Sequence, residues 1–499
     1  MNSLHLVLLL PLMAVLVGVT PVASSNSAAQ ESCDNPPEIG VYWSCCDKRG
    51  ENLSNVNLMA ANLSYSNLTN ATLVDAYLLV ANLSYANLTG ANLSGAKLAG
   101  ADFDGTNLNR ANLTGVTDLT ASQLRHAANL QGVIVSSLDL GNFDLRGSNL
   151  ANATLSVANL MNADLSGTDL TNAVLAGANL LGAKLNNANL TGAVLVGARN
   201  LKESQLRSAS ALQGVKLSNL NLKNWNLSSL DLTGADLGGG NLTNADLAYT
   251  DLIRANLSNA DLFGASFLGG NLNGANLAKT NIADFQLRGA SSLIGVNLSG
   301  TTLSNSDLSF LTLPGVNLTL ADLVNTDLRG SELSSSNLAG ANLASSNLTG
   351  ADLAGANLAG ANLTGANLTE TNLTGANLAG VILTKALLTR ANLNKANLTG
   401  IIDLTNVQVR TVANLQGVNL SGSNLSGFDL NSLVLSEADL SRADLSDANL
   451  SNADLTNANL AEANLTNANL TESIQKNTIL KNADLTGTKG LLPIQSREE

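Results

Sequence analysis

Apolar residues recur at every fifth position along most of this chain. The stretch 351–380 reads ADLAGANLAG ANLTGANLTE TNLTGANLAG, and the same phrase places a Leu at each fifth position from Leu53 to Leu113. This spacing is typical of neither a helix nor a simple alternating strand. It predicts a short extended unit followed by a turn, with Ala and Leu on one side and Asn, Asp, Ser or Thr on the other. The fifth residue, often Gly or Asn, is suited to a corner.

One such unit cannot bury its own Leu, so the units must stack on copies of themselves. The phrase resembles the A(D/N)LXX signature of the pentapeptide-repeat family over residues 52–486, which is nearly the whole chain. The resemblance implies an all-β fold, a right-handed quadrilateral β-helix with one pentapeptide per side and twenty residues per coil. The 86 units from Leu53 to Leu485 then make about 21 coils. At roughly 4.8 Å per coil the rod is about 100 Å long.

The five-residue frame slips at four places. The intervals Leu113–Leu130, Leu195–Leu212 and Leu398–Leu415 each span 17 residues instead of 15, and a smaller slip surrounds Leu287. Counted in repeat units, 16, 16 and 24 units separate the successive slips, and all three numbers are multiples of four. A four-sided coil therefore places all four slips on one face.

We interpret these slips as bulged turns, with a short helical turn at about 121–127, that form a seam of irregular loops. The seam is our predicted interaction site. Its candidate residues are Gln123, Arg125, His126, Gln205, Arg207, Gln286, Arg288, Gln408 and Arg410.

Large side chains follow the same count. They occupy predicted inward positions on the slip face, in the slip coil or one coil away, where they would fill space opened by the irregular backbone. These residues are Phe103, Phe143, Trp225, Phe267, Phe285 and Phe428.

Composition supports a repeat rod and limits its partners. Charged residues are 13%, aromatic residues 3% and apolar residues 45% of the 499 residues, so the core is built from Leu and Ala. The net charge of −13 is dilute. Binding to nucleic acid or to anionic membranes requires clustered Lys and Arg, so this charge disfavours both partners.

The two ends of the chain differ from the repeat. Residues 1–29 carry an apolar run followed by small residues, which predicts a signal peptide cleaved after Ser24 or Ala29, with an uncleaved anchor as the alternative. Residues 30–51 are predicted to form an N-terminal cap, 52–487 the β-helix and 488–499 a C-terminal tail. We expect the mature protein to be exported to the periplasm, the thylakoid lumen or the extracellular space.

All three cysteines lie in the predicted N-terminal cap. In an oxidising compartment Cys33 is expected to pair with either Cys45 or Cys46, leaving one thiol free, and the sequence leaves the choice open.

The repeats carry no recognisable catalytic motif. His126 is the one histidine after the signal peptide, and no GxSxG or HExxH string accompanies it. We therefore expect no enzyme activity, no metal site and no cofactor.

The sequence favours an exported structural or protein-interaction scaffold with an unidentified protein partner. Two alternatives stay open. Outward Asn and Thr rows, as at Thr364, Thr369 and Thr374, are compatible with an ice- or surface-binding solenoid. The cytosolic branch of the family contains DNA mimics that interact with type II topoisomerases, although the dilute charge and the leader disfavour that role.

Overall fold

Parallel contacts between residues one coil apart organise the fold. The computed structural model describes residues 33–492, so the predicted signal peptide and residues 493–499 lie outside the described residues. Isolated parallel β-bridges join residues twenty apart, for example Asn62 to Asn82 and Asn67 to Asn87. Four five-residue sides therefore complete one coil, and each coil stacks on the next.

The side that begins at Ala351 shows why the phrase folds this way. Ala351 and Leu353 are buried, whereas Asp352 between them lies at the surface and forms the bridge. The Leu353 N–H donates to the carbonyl of Asn372 in the next coil at 2.8 Å. Gly355 ends the side with φ +66, which turns the chain through the corner. Backbone φ values near +60 favour Gly and Asn, and this explains the residue found at many fifth positions.

The outward Asn or Asp also fastens its own turn. The Asn362 Oδ1 accepts from the backbone N–H of Thr364 at 3.1 Å and from its hydroxyl at 2.6 Å, and Thr369 and Thr374 repeat this arrangement. The Asn and Asp of the repeat are therefore structural residues. The Thr hydroxyls in these rows already donate within the chain.

The core is a column of Leu side chains along the inside of each wall. The central Leu of nearly every side is 0–2% exposed, and the Ala two residues earlier is similarly buried. Each buried Leu contributes about 1.5–3 kcal/mol to folding, which offsets the cost of ordering its side.

The bridges define four columns, which we number by their first bridges. Column 1 begins at Tyr42, column 2 at Asp47, column 3 at Asn52 and column 4 at Asn57. Column 3 is an unbroken succession of bridges from Asn52 to Ile479.

Column 1, opposite column 3, is interrupted by the four helices of the described residues. These are α1 Ala121–His126, α2 Glu203–Ser208, α3 Asp284–Gly289 and α4 Asn406–Thr411. The bridges of column 1 run from Tyr42 to Asp102, then after each helix from Asp144 to Lys184, Asn226 to Ser266, Asp307 to Leu387 and Asp429 to Lys489. Counting coils along this column gives four from α1 to α2, four from α2 to α3 and six from α3 to α4.

The β structure is sparser than the sequence suggested. Within residues 33–492 each β contact is an isolated bridge and no longer strand is present, because a two-residue turn follows the central Leu of each regular side. Bridges also begin at Tyr42, inside the segment assigned to the N-terminal cap, and continue to Lys489, inside the segment assigned to the tail.

The aromatic residues near the helices pack as expected with one exception. Phe103 and Phe267 are buried, and Phe143, Trp225 and Phe428 are half-buried against the core. The prediction for Phe285 is wrong, since its side chain is 60% exposed. It lies in α3, where residues two apart no longer point to the same side, and Gln286 and Leu287 take the inward positions instead.

The N-terminal coil is closed by a disulfide. Cys33 is bonded to Cys46, and Cys45 is an exposed free thiol. Trp43 is buried in this coil, with the Lys48 Nζ 4.2 Å from its ring centroid.

The Phe310 ring covers the corner at Gly330, so a side chain added there should affect stability. A Cβ at Gly330, one coil further on, would lie 2.6 Å from the Phe310 ring, whereas Gly360 has nothing within 4 Å. Both glycines have φ near +65, which Asn tolerates. Gly330→Asn should therefore lower the free energy of unfolding by about 0.5–1.5 kcal/mol, because the exposed Phe310 ring must turn away from the new side chain, and Gly360→Asn should change it by less than about 0.5 kcal/mol.

Chemical denaturation of the two variants measures this difference. The double variant Phe310→Asn, Gly330→Asn removes the ring and should recover most of the loss. Equal midpoints for the two single variants would contradict the packing argument.

Candidate functional site: the helix wall

The predicted seam residues all lie on one wall of the rod. We call the sides of column 1, together with α1 to α4, the helix wall. Each helix sits where a bridge of column 1 would otherwise stand, so each must replace lost backbone pairing with side-chain contacts.

A glutamine in the third helical position provides the first replacement. In α3, Gln286 Nε2 donates to the carbonyls of Leu262 and Ala265 in the preceding coil, both at 2.8 Å. Its Oε1 accepts from the Ala283 N–H at 2.7 Å. Gln123, Gln205 and Gln408 make the same three contacts in their own helices.

These four glutamines are buried, with 2–8% of each side chain exposed. Their amides bond within the chain, so they position the helices and leave no polar group for a partner. The exposed part of the predicted seam consists of the four arginines and His126.

Each arginine reaches forward to the residue nineteen positions later. Arg288 donates to the Asp307 carboxylate at 2.6 Å and to the Asp307 carbonyl at 2.8 Å. Arg125 forms an ion pair with Asp144, and Arg207 donates to the side-chain and backbone oxygens of Asn226. Arg410 lies 3.7 Å from the Asp429 carboxylate and donates to the Asn431 carbonyl at 2.7 Å. The arginines thus fasten each helix to the following coil.

The first residue of each helix completes the attachment in three of the four cases. Asp284 Oδ2 accepts from the Asp307 N–H at 3.0 Å, and Glu203 and Asn406 accept from the N–H groups of Asn226 and Asp429. In α1 this position is Ala121, whose side chain cannot accept a hydrogen bond.

The carboxylates beside these arginines are held ionised. Hydrogen bonds from Arg146 are the main reason that the pKa of Asp144 lies below its usual range, and the charge of Arg125 adds to the effect. The pKa of Asp307 is lowered mainly by hydrogen bonds from Ser309 and further by Arg288. Both groups are negatively charged at neutral pH.

Exposed aromatic rings mark the same side of the rod. Within residues 33–492 all eight exposed aromatic residues lie on column 1 or on column 4, which precedes it; they are Tyr42, Tyr65, Tyr77, Tyr85, Tyr249, Phe263, Phe285 and Phe310. The clustering of these exposed rings was not predicted from the sequence. A bulky residue at the fifth position, where Gly or Asn fits better, was the available signal for Tyr65, Tyr85, Tyr249 and Phe310.

A shallow cavity of about 230 Å³ lies beside α1. Asp102, Asp104, Ser122 and His126 contribute to its lining, and the Ser122 hydroxyl is 3.4 Å from His126 Nδ1. Within residues 33–492 no group of three or more His, Cys, Asp or Glu residues is arranged to hold a metal ion. No helix in that range is long and apolar enough to cross a membrane.

The sequence profile described as Pentapeptide repeats matches most of the chain. The matched segments are 49–79, 81–115, 128–167, 139–177, 158–197, 173–210, 208–244, 240–278, 291–330, 336–375, 366–402, 413–452 and 448–487. Three of the four helices, α1, α3 and α4, fall in gaps between these segments. The helices are thus departures from an otherwise continuous repeat.

Several solved structures share the repeat. HetL, a pentapeptide repeat protein involved in heterocyst differentiation regulation from the cyanobacterium Nostoc, is 28% identical over 54% of this chain and 88% of its own, with a TM-score of 0.20. Rfr23 from the cyanobacterium Cyanothece is 34% identical over 22% of this chain and 84% of its own, with a TM-score of 0.18. A pentapeptide repeat protein of the Arabidopsis thaliana thylakoid lumen is 23% identical over 35% of this chain and 81% of its own, with a TM-score of 0.14.

These TM-scores are too low to support an inference about function, so the family assignment rests on the match to the repeat profile. No curated protein matches the chain.

Because α1 begins with Ala121, it lacks the hydrogen-bond acceptor that the first residue supplies in the other three helices, and restoring it should stabilise α1. Ala121→Asp gives α1 the residue that α3 has, so its carboxylate should accept from the Asp144 N–H and increase stability locally by about 0.5–1.5 kcal/mol. Hydrogen exchange at the Asp144 amide, followed by NMR or mass spectrometry, should slow severalfold.

Ala121→Asn separates the hydrogen bond from the charge, and it should give most of the same protection because Asn406 fills this role in α4. Unchanged exchange at Asp144 in both variants would refute the proposed role of this position.

Proposed function

Because the chain belongs to the pentapeptide repeat family, whose members form right-handed quadrilateral β-helices, we propose that it is an exported, non-enzymatic scaffold that binds a protein partner through the helix wall. Members of this family are generally structural or interaction proteins, and this supports a binding role over catalysis. The partner is a protein of unidentified sequence. The proposal involves no cofactor and no nucleic acid, and no membrane beyond the signal peptide.

The contrast between opposite walls is the observation that carries the proposal. Within residues 33–492, column 3 continues without interruption, whereas column 1 contains four helices, seven exposed arginines and six of the eight exposed aromatic rings. A rod needs only identical sides for its stability. Exposed aromatic and arginine side chains are enriched in protein interfaces, so their concentration on one wall supports an interaction surface there.

The proposed mature protein is a rod of about 21 coils, about 100 Å long at roughly 4.8 Å per coil. We assign residues 1–29 to a signal peptide, 30–51 to the N-terminal cap, 52–487 to the β-helix with its helical insertions on one wall, and 488–499 to the tail. The Cys33–Cys46 disulfide supports export, because such bonds persist in oxidising compartments.

Two measurements in the native host test this proposal. A photo-crosslinking amino acid at Ser122, Ser204 or Val407, exposed on α1, α2 and α4, should give a discrete adduct with a protein of the exported fraction. The same reagent at Lys279 or Leu320, at exposed corners of column 3, should give none. Leu320 and Val407 are both 71% exposed, so they form a matched pair.

The mature N-terminus is determined on the same material. It should begin just after Ser24 or Ala29, and an intact Met1 in a cytoplasmic fraction would overturn the export assignment. Adducts formed equally from both walls, or from column 3 alone, would overturn the assignment of the helix wall.

A further inference from the structure

Charge is distributed unevenly along the edge at which column 4 meets the helix wall. We compare two patches, each formed by the column 4 and column 1 sides of a helix coil and of the coils before and after it. The α2 patch comprises 179–188, 199–209 and 221–230, and the α3 patch comprises 261–270, 281–290 and 302–310.

The two patches carry opposite net charge. The α2 patch contains five basic residues and one acidic residue, a net charge of +4; they are Lys184, Arg199, Lys202, Arg207 and Lys223, with Glu203. The α3 patch contains Asp261, Asp284 and Asp307 with one basic residue, Arg288, a net charge of −2.

Much of this charge has no ionic partner in its own chain. Across residues 33–492, Arg199, Lys202, Arg207 and Lys223 form no ion pair, and neither do Asp261 and Asp284. Arg207 bonds only to neutral oxygens of Asn226 and Ser228. These charges are therefore available to pair with another molecule without breaking an ion pair within the chain.

The acidic patch is also the most aromatic part of this edge. Phe263, Leu268, Phe285 and Phe310 are 69%, 55%, 60% and 74% exposed. The residue equivalent to Phe285 is Ser122 in α1 and Ser204 in α2, so a polar side chain is compatible with this position. The coil itself therefore does not require a ring here, and an exposed apolar cluster of this kind is typical of an interface.

From this complementarity we propose that a second copy of the chain docks antiparallel along the edge where column 4 meets the helix wall, with the α2 patch of each copy against the α3 patch of the other. The inference rests on the proposed function, because it names one partner of a surface that includes the helix wall. Along column 1 the Asp246–Tyr249 side lies two coils after α2 and two coils before α3. The two-fold axis therefore passes at the level of Tyr249, which is 67% exposed.

The antiparallel arrangement follows from symmetry and charge. Two parallel copies in register would place their two basic patches against each other. Parallel copies shifted by four coils would satisfy one pair of patches and leave the second pair open, so association would continue into a chain of copies. The antiparallel pair satisfies both contacts and closes.

Sedimentation velocity of the purified native chain tests this proposal. We expect a species of about twice the mass of the mature monomer, and this dimer should weaken as salt is raised. Phe285→Ser and the double variant Lys202→Glu, Lys223→Glu should each weaken the dimer at least tenfold. The controls are Val407→Ser, the equivalent position in α4, and Lys279→Glu on column 3, and both should leave the dimer unchanged.

Zero-length carbodiimide coupling of a mixture of ¹⁴N- and ¹⁵N-labelled chains identifies the contact. Isotopically mixed cross-links should join Lys202 or Lys223 of one copy to Asp261 or Asp284 of the other. The mixed label matters because Lys223 also acts electrostatically on Asp261 within one chain.

A monomer at all concentrations up to about 100 µM, a dimer insensitive to both interface variants, or mixed cross-links confined to other walls would each overturn the proposal. A monomer whose helix wall still cross-links to a host protein would overturn this inference alone. A dimer through this wall with a host partner bound elsewhere would overturn only the scaffold assignment of the wall.

Discussion

The register of one coil on the next is the constraint on which the rest of the structure depends. Each Leu must lie over the Leu twenty residues earlier, and each bridge residue must meet its counterpart in the neighbouring coil. A Leu that shifts by one position would point outward, because side chains in an extended unit alternate. Most inward positions therefore carry Leu, Ala, Val or a small hydroxyl residue. In the regular part of the rod few residues are free for recognition, because the Asn and Asp side chains accept the hydrogen bonds that hold the turns.

A helix is the device by which the rod adds residues and still keeps its register. Bridges across the insertions join residues 22 apart at α1, α2 and α4, as in Asn112 with Ile134, and 21 apart at α3, as in Asn276 with Asn297. Column 3 resumes pairing at once, and column 2 bridges each insertion, as in Asn107 with Asn129, because the extra residues are absorbed in one wall. The buried glutamine replaces backbone pairing to the coil before, and the arginine and the first helical residue supply contacts to the coil after. Irregularity, exposed charge and aromatic rings therefore accumulate on the same wall.

Much of this architecture could be predicted from the sequence, because it depends on counting. The five-residue period gives the sides, and the separations of the slips in multiples of four are consistent with one wall. What the counting missed depends on local geometry. Gln123 and its equivalents resemble surface loop residues in the sequence, and only the helical turn directs them inward. The prediction for Phe285 was wrong for the same reason. The choice between Cys45 and Cys46 depends on which of two adjacent side chains faces Cys33. The aromatic cluster around α3 required the column assignment, since Phe263 and Phe310 are 47 residues apart in sequence.

Distances between spin labels determine whether all four helices lie on one wall at whole-coil spacings. In a Cys45→Ser background, nitroxides at the equivalent exposed positions Ser122, Ser204, Phe285 and Val407 would be measured in pairs by pulsed electron paramagnetic resonance. Separations of four, four and six coils predict distances of about 19, 19 and 29 Å between successive helices at roughly 4.8 Å per coil. Distances above about 30 Å for either of the first two pairs would place those helices on different walls and contradict the account.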